Sequence, residues 1–217
     1  VNIRLSEQEG FASLILRLRA EGITDRTLIM AVEKTPRSRF TPHAFADMAY
    51  SSRSIPIECG EVMEGVDLSL QMLHLLDLKQ GQRALEIGTG SGFTAAVMAS
   101  IVDRVVTIDR YKTLSGLASQ RFTDLGLNNI VVATGDGRGW SDEQGTFDRI
   151  LVTAAFNEMP RAFAERLVSG GVMITAIGDA DQPQTLVRLT KIGSRFERED
   201  LFPVRFQPLQ EGAAAIL

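Results

Sequence analysis

Residues 84–93 read Ala-Leu-Glu-Ile-Gly-Thr-Gly-Ser-Gly-Phe: an apolar run meets Gly88, Gly90 and Gly92 and passes straight into a helical pattern. Glycines at such a turn accept positive φ and let a ligand approach the main chain closely. The spacing is Gly-x-Gly-x-Gly, not the Gly-x-Gly-x-x-Gly of dinucleotide sites. Glu86, at the end of the apolar run, would repel a pyrophosphate and suits a cation. Asp109 closes the next apolar run, 21 residues after Gly88, where an acid can accept both hydroxyls of a ribose. After a third run come Gly135-Asp136-Gly137, with Asp136 expected at the exocyclic amine of adenine and the adjacent backbone, through Gly137, along the ring. The amides of Thr89 and Ser91 are expected at the ligand's amino-acid end. Singly, a glycine turn is ordinary strand–helix geometry and an acid after a strand an ordinary loop residue. In this order, at successive strand ends, they point to a compact adenosine-bearing cation, S-adenosylmethionine.

The elements that must carry these residues can be read from periodicity. Strands are expected over 84–87, 104–108, 130–134, 149–153 and 171–177, with helices near 93–101, 111–125 and 160–168 between them. That alternation predicts βαβ units and a mostly parallel sheet covered on both faces. Beyond residue 184, apolar runs over 186–192 and 196–204 read as antiparallel strands closing one edge. The first third is helical. Phe11, Leu14, Ile15 and Leu18 share one face, Ser6 and Glu9 have capping-box spacing, and Gly22 ends the pattern. Asp25 caps a second helix that Pro36 stops, residues 36–66 are irregular, and a third helix starts near Asp67 and runs towards Gly81. The expectation is one α/β domain over 1–217, a Rossmann-like core over 81–217 preceded by a helical, substrate-side cap over 1–80.

Composition narrows the possible functions. The chain has 217 residues, 44% of them hydrophobic, enough for a sizeable core. Its net charge is −4, which argues against a broad nucleic-acid-binding surface. With Cys59 the sole cysteine and His43 and His74 the only histidines, neither a disulfide framework nor a structural metal is expected. The first ten residues include charged Arg4, Glu7 and Glu9, unlike a secretory leader, and no run spans a bilayer, so a cytoplasmic protein without a membrane partner is expected.

These residues, with others along nearly the whole chain, resemble the protein-L-isoaspartate O-methyltransferase family. Gly22-Ile-Thr-Asp25, Thr35-Pro-Arg-Ser-Arg-Phe-Thr-Pro42, Ala49-Tyr50 and Ser54-Ile-Pro-Ile57 are similar to its N-terminal motifs. The stretches 86–92, 135–140 and 147–155, with Gly170-Gly171, match its core, and Pro203-Val-Arg-Phe-Gln-Pro-Leu209 matches its end. The resemblance implies a Rossmann-like fold and methylation, from S-adenosylmethionine, of the carboxylate of isoaspartyl residues in damaged proteins or peptides.

One segment departs. Where the family usually carries Thr-Ile-Ser-x-Pro, with hydroxyls bordering donor and acceptor, this chain has Val62-Met63-Glu64-Gly65-Val66. An ionised Glu64 about 4 Å from an acceptor carboxylate would oppose it by about 4 kcal/mol at an effective dielectric near 20. For an isoaspartyl acceptor, Glu64 must therefore be protonated or turned away. Otherwise the acceptor differs, and Glu64, with Asp67 nearby, forms an acidic pocket in which Glu64 is a catalytic base for a hydroxyl or amine of another small substrate. A structural alternative makes Glu64 a cap or a solvated side chain, with Asp67 as the N-cap of the third helix. A module that binds the cofactor without transferring methyl groups is a further rival.

The remaining candidates are weaker. Cys59 has no sequence-adjacent partner to form a thiolate, and His43 and His74 read as surface residues. Trp140 reads as packing beside the acidic turn, Arg37 and Arg39 as surface charges or acceptor contacts, and Thr153-Ala154-Ala155 as room at the catalytic rim.

Overall fold

The computed structural model describes residues 3–138 and 145–214; Trp140 lies outside them. The strands β3 (Arg83–Ile87), β4 (Arg104–Asp109), β5 (Ile130–Thr134), β6 (Phe147–Phe156), β7 (Leu167–Ile177), β8 (Gln184–Ile192) and β9 (Arg195–Val204) form one sheet in the order β5-β4-β3-β6-β7-β8-β9. The first five are parallel, and β8 and β9 are antiparallel. This is the mostly parallel, Rossmann-like sheet expected, with its antiparallel edge. Chain order runs outward from β3 to β5, then returns to β6 on the other side of β3, so the crevice for a ligand opens between the ends of β3 and β6.

Side-chain alternation divides the core in two. Ala84, Val105, Leu151 and Ile174 face one cluster, while Leu85, Val106, Ile150 and Met173 face the other. The first cluster is roofed by α1 (Ile3–Ala20), α2 (Arg26–Lys34), α3 (Val66–Leu75), α4 (Phe93–Ala99) and α5 (Lys112–Asp124). On the second face the helix expected near 160–168 is a 3-10 turn, Arg161–Arg166, and β7 already begins at Leu167. Pro160 precedes that turn, and Phe163 packs edge-on to Phe156 at 5.5 Å, so the short segment lies flat on the sheet. The far edge, β9, presents exposed Arg195, Glu197, Arg198, Glu199, Asp200 and Pro203.

The helical cap follows its sequence signals with two exceptions. Asp25 caps α2, accepting from the Thr27 and Leu28 amides at 2.8 and 3.4 Å, and α1 ends just before Gly22, whose φ is +82°. However, α1 starts at Ile3, so Ser6 and Glu9 fall inside the helix and not at its start. The N-cap of α3 is Gly65, not Asp67. Asp67 instead accepts from Arg17 Nε at 2.7 Å and Nη2 at 3.1 Å, fastening α3 to α1, and does not line the cleft described below. Within the irregular stretch, β1 (Ile55–Pro56) and β2 (Val62–Met63) form a small antiparallel hairpin. Among the described residues no helix is long and apolar enough to cross a membrane.

Candidate active site

At the carboxyl ends of β3, β4 and β6 lies an open cleft, lined there by Ile87, Ile108 and Thr153. Its floor is the glycine loop. Gly88 leaves β3 with φ +93°, and a Cβ there would lie 2.4 Å from Thr153 Oγ1 on β6. Gly137 is equally cramped, since a Cβ would lie 2.4 Å from Ile87 Cγ2. At both points glycine lets the main chain press against a neighbouring strand, and both residues line the cleft.

The loop is held from β4. The Gly88 and Thr89 amides both donate to the Ile108 carbonyl, at 2.8 and 3.2 Å, and the Gly90 amide donates to Asp109 Oδ2 at 2.9 Å. The Thr89 amide is thus already engaged by β4, which corrects its expected place at the ligand's amino-acid end. Ser91 is buried; its carbonyl accepts from Arg121 at 2.9 Å, while Thr89 and Ser91 both line the cleft. Asp109 lines it too, its other oxygen accepting from the Tyr111 amide at 2.9 Å. A carboxylate offers about four lone-pair sites, so two remain for further donors. Burial raises the Asp109 pKa, against the pull of the Tyr111 and Gly90 amides.

Glu86 departs from its expected place. It is fully buried beneath the loop, accepting from Thr107 at 2.6 Å and from Thr94, and does not line the cleft. Thr107 in turn lies 2.6 Å from Thr89 Oγ1, so a relay of hydroxyls links the loop to the acid. Burial pushes Glu86 up to about 7; the Thr107 and Thr94 hydroxyls oppose the rise, and the charges of Asp109 and Glu64 add to it. Asp136 also departs. Its oxygens accept from the Arg138 and Gly212 amides, each at 2.8 Å, and the cleft is lined by its neighbours Gly135 and Gly137. Burial would raise its pKa, but those amides outweigh burial and hold it below the usual carboxylate range.

Opposite the loop stands the divergent segment. Glu64 lines the cleft with Arg37, Ser69, Phe93 and Thr94, so it neither caps α3 nor turns to solvent. Gly65 pins it: a Cβ there would overlap the Ser52 carbonyl oxygen at 2.0 Å, and the Val66 amide donates to Ser51 at 3.1 Å. Burial pushes Glu64 up to about 7, opposed by its own backbone amide and Arg37 and reinforced by Glu61. Arg37, left open by sequence, is fully buried. Its guanidinium stacks 4.4 Å from the Phe93 ring centroid, and Nη2 donates to the Glu64 carbonyl. Its Nε and Nη1 have no hydrogen-bond partner among the described residues. Burial lowers its pKa to about 10, leaving it charged at neutral pH. Arg39, His43 and His74 are exposed.

Sequence reasoning missed the cover. The tail returns over β6, the Ala155 amide donating to the Gln207 carbonyl at 2.9 Å and the Leu209 amide to the Ala155 carbonyl at 2.8 Å, and brings Gln207 to the cleft mouth. With its amide oriented to donate, Gln207 reaches a Glu61 oxygen at 2.6 Å, bridging tail and hairpin. The tail motif placed Gln207 in view, but Glu61 lies in a stretch without periodicity. Cys59 sits at the hairpin turn with φ +63°, and burial raises its thiol pKa, the reverse of a reactive thiolate. Among the described residues no three His, Cys, Asp or Glu side chains gather to hold a metal.

Comparison with known proteins agrees with this arrangement. The family model described as Protein-L-isoaspartate(D-aspartate) O-methyltransferase (PCMT) matches residues 9–214. A protein-L-isoaspartate O-methyltransferase of Rhizobium meliloti (strain 1021) is 50% identical over 204 residues, 94% of this chain and 100% of that protein. One from Parvibaculum lavamentivorans is 42% identical over 211 residues, covering 96% of this chain and 94% of that one. A crystal structure from Plasmodium falciparum, described as a putative member in complex with S-adenosyl-L-homocysteine, superposes with a TM-score of 0.80. It is 24% identical and covers 91% of this chain and 97% of its own, which shows the common fold. With a Gly-x-Gly-x-Gly floor, a buried guanidinium across from it and close relatives matched end to end, this chain belongs to the protein-L-isoaspartate O-methyltransferase family of S-adenosylmethionine-dependent enzymes.

Proposed function

We propose that this chain transfers a methyl group from S-adenosylmethionine to the side-chain carboxylate of isoaspartyl residues in proteins and peptides. The observation that carries the reading is the pairing, within one cleft, of the glycine-loop floor with the unpartnered Nε and Nη1 of buried Arg37. The cofactor supplies a methyl group on a sulfonium, which an ionised carboxylate attacks without a general base. The work left to the protein is therefore alignment and exclusion of water.

The residues divide that work. The main chain over 88–91 forms the floor, Asp109 offers its remaining lone pairs to the ribose hydroxyls, and the backbone at Gly135 and Gly137 borders adenine. Glu86 acts from beneath, holding the loop through the threonine hydroxyls, and Asp136 fixes the tail that covers the cleft. Arg37 faces the acceptor's negative charge, and the Glu61–Gln207 bridge shields the mouth. In this reading, residues 1–80 are the substrate-side cap and 81–217 the cofactor-binding core of one domain, at work in the cytoplasm. A lone cysteine accords with that reducing setting.

The test is methyl-ester formation on an isoaspartyl peptide against its normal aspartyl counterpart, with cofactor binding followed separately by calorimetry. Esterification of the isoaspartyl peptide alone supports the reading; cofactor binding without any ester on it overturns the reading. One observation favours a second reading, in which Glu64 is the base for a hydroxyl or amine acceptor: its carboxyl lines the cleft. That reading predicts methylation of such an acceptor and none of the isoaspartyl peptide.

A further inference from the structure

We infer that Arg37 and Glu64 together seat the acceptor's carboxylate, with Glu64 in its neutral form as a hydrogen-bond donor, so that peptide binding requires a proton on Glu64. The inference rests on the isoaspartyl reading and adds a specificity-determining residue to it. Arg37, which lines the cleft, is immobilised by the Phe93 ring and by its bond to the Glu64 main-chain carbonyl, and its buried Nε and Nη1 lack a partner among the described residues. Such a buried cation calls for an anion from outside. The main chain beside Glu64 is fixed, because Gly65 is pressed against Ser52, and Glu64 lines the cleft with Arg37. An ionised Glu64 would compete with the incoming carboxylate for Arg37 and repel it; a neutral Glu64 has an O–H to donate where the family's usual serine has its hydroxyl.

Burial, more than the charges around it, favours the neutral form of Glu64. Arg37, on its 3-10 turn, is the cation facing it, while Glu61 on the hairpin and Glu86 on β3 oppose its ionisation. Asp109 stands across the loop, Asp67 at the start of α3 is taken up by Arg17, and Tyr50 is bonded to Glu7. Burial holds Glu64 near 7, so its protonation changes across the physiological range.

The experiment is calorimetry of an isoaspartyl peptide binding to the protein saturated with S-adenosylhomocysteine, which blocks turnover. It is run from pH 6 to 9 in buffers of different ionisation enthalpy. The expected result for the unaltered protein is affinity falling about tenfold per pH unit above 7, with uptake of close to one proton per peptide at pH 8. Glu64→Gln keeps a neutral donor and is expected to bind with flat pH dependence and no proton uptake. Undiminished affinity at pH 9, or Glu64→Gln retaining the proton uptake, overturns this inference and leaves the proposed function standing. Failure of the peptide to bind at any pH, while S-adenosylhomocysteine binds, overturns both.

Discussion

Thr107 donates its hydroxyl to Glu86 at 2.6 Å and stands equally close to Thr89 of the glycine loop, so one buried threonine links the loop to the acid beneath it. Thr107→Val removes the donor to Glu86 and the acceptor for Thr89 together, with little change in shape. The expected loss is about 1–3 kcal/mol of stability, from a buried carboxyl left short of a partner. Urea unfolding measures it, and calorimetry should show weaker cofactor binding, because the loop loses its tether. Unchanged cofactor affinity would mean that the loop is positioned by its main-chain bonds to Ile108 alone.

Glu64 and Glu86 both sit near 7 in the folded chain against an ordinary 4.5. Between those values the folded state holds more protons than the unfolded one, so stability falls as pH rises through that window and levels off above it. Burial raises Glu61 and Asp109 as well, with the same sign. Asp77 and Asp136 are lowered, so they lose their contribution only as pH falls below the ordinary 3.8. The thermal midpoint of the ligand-free protein is expected to be higher at pH 5.5 than at pH 8, and Glu64→Gln should reduce that difference. A midpoint that climbs steadily across the interval would contradict the burial of these acids.

Gly88→Ala combines a strained φ of +93° with a contact of 2.4 Å to Thr153 Oγ1. The backbone strain alone costs roughly 1–3 kcal/mol. Adding Thr153→Ala removes the clash but not the dihedral strain. The double variant is expected to recover part of the stability lost by Gly88→Ala, and full recovery would show that φ is not a constraint there.

Asp67→Ala tests the separation of this acid from the chemistry. Losing the bidentate bond from Arg17 should cost about 1–2 kcal/mol, the lower part of the range for charged hydrogen bonds because Arg17 is partly exposed. The KM for peptide and its pH dependence should not move. A shift in that pH dependence would place Asp67 at the acceptor.

What the sequence made legible was local. The Asp25 cap, the Gly22 stop, the strands and the glycine loop all depend on neighbours within a few residues, and all appear where periodicity puts them. The roles of the acids depended on partners far along the chain. Asp67 looked like a cap because Arg17, which binds it, lies 50 residues earlier. Asp136 looked like an adenine contact because Gly212, which occupies one of its oxygens, lies 76 residues later. Glu86 was correctly placed at a strand end, but its face of the strand turns it towards Thr94 and Thr107 and under the loop. Arg37 carried no periodic signal at all, and its burial became visible only with Phe93 stacked beneath it.

The outer strand β9 has a consequence for the proposed action on damaged polypeptides. Unfolded chains seek unpaired strand edges, and a bare edge would trap them away from the catalytic rim. Arg195, Glu197, Arg198, Glu199, Asp200 and Pro203 make this edge charged and interrupted. A loosened client is thereby discouraged from annealing to the sheet and left free to offer its altered residue to the cleft.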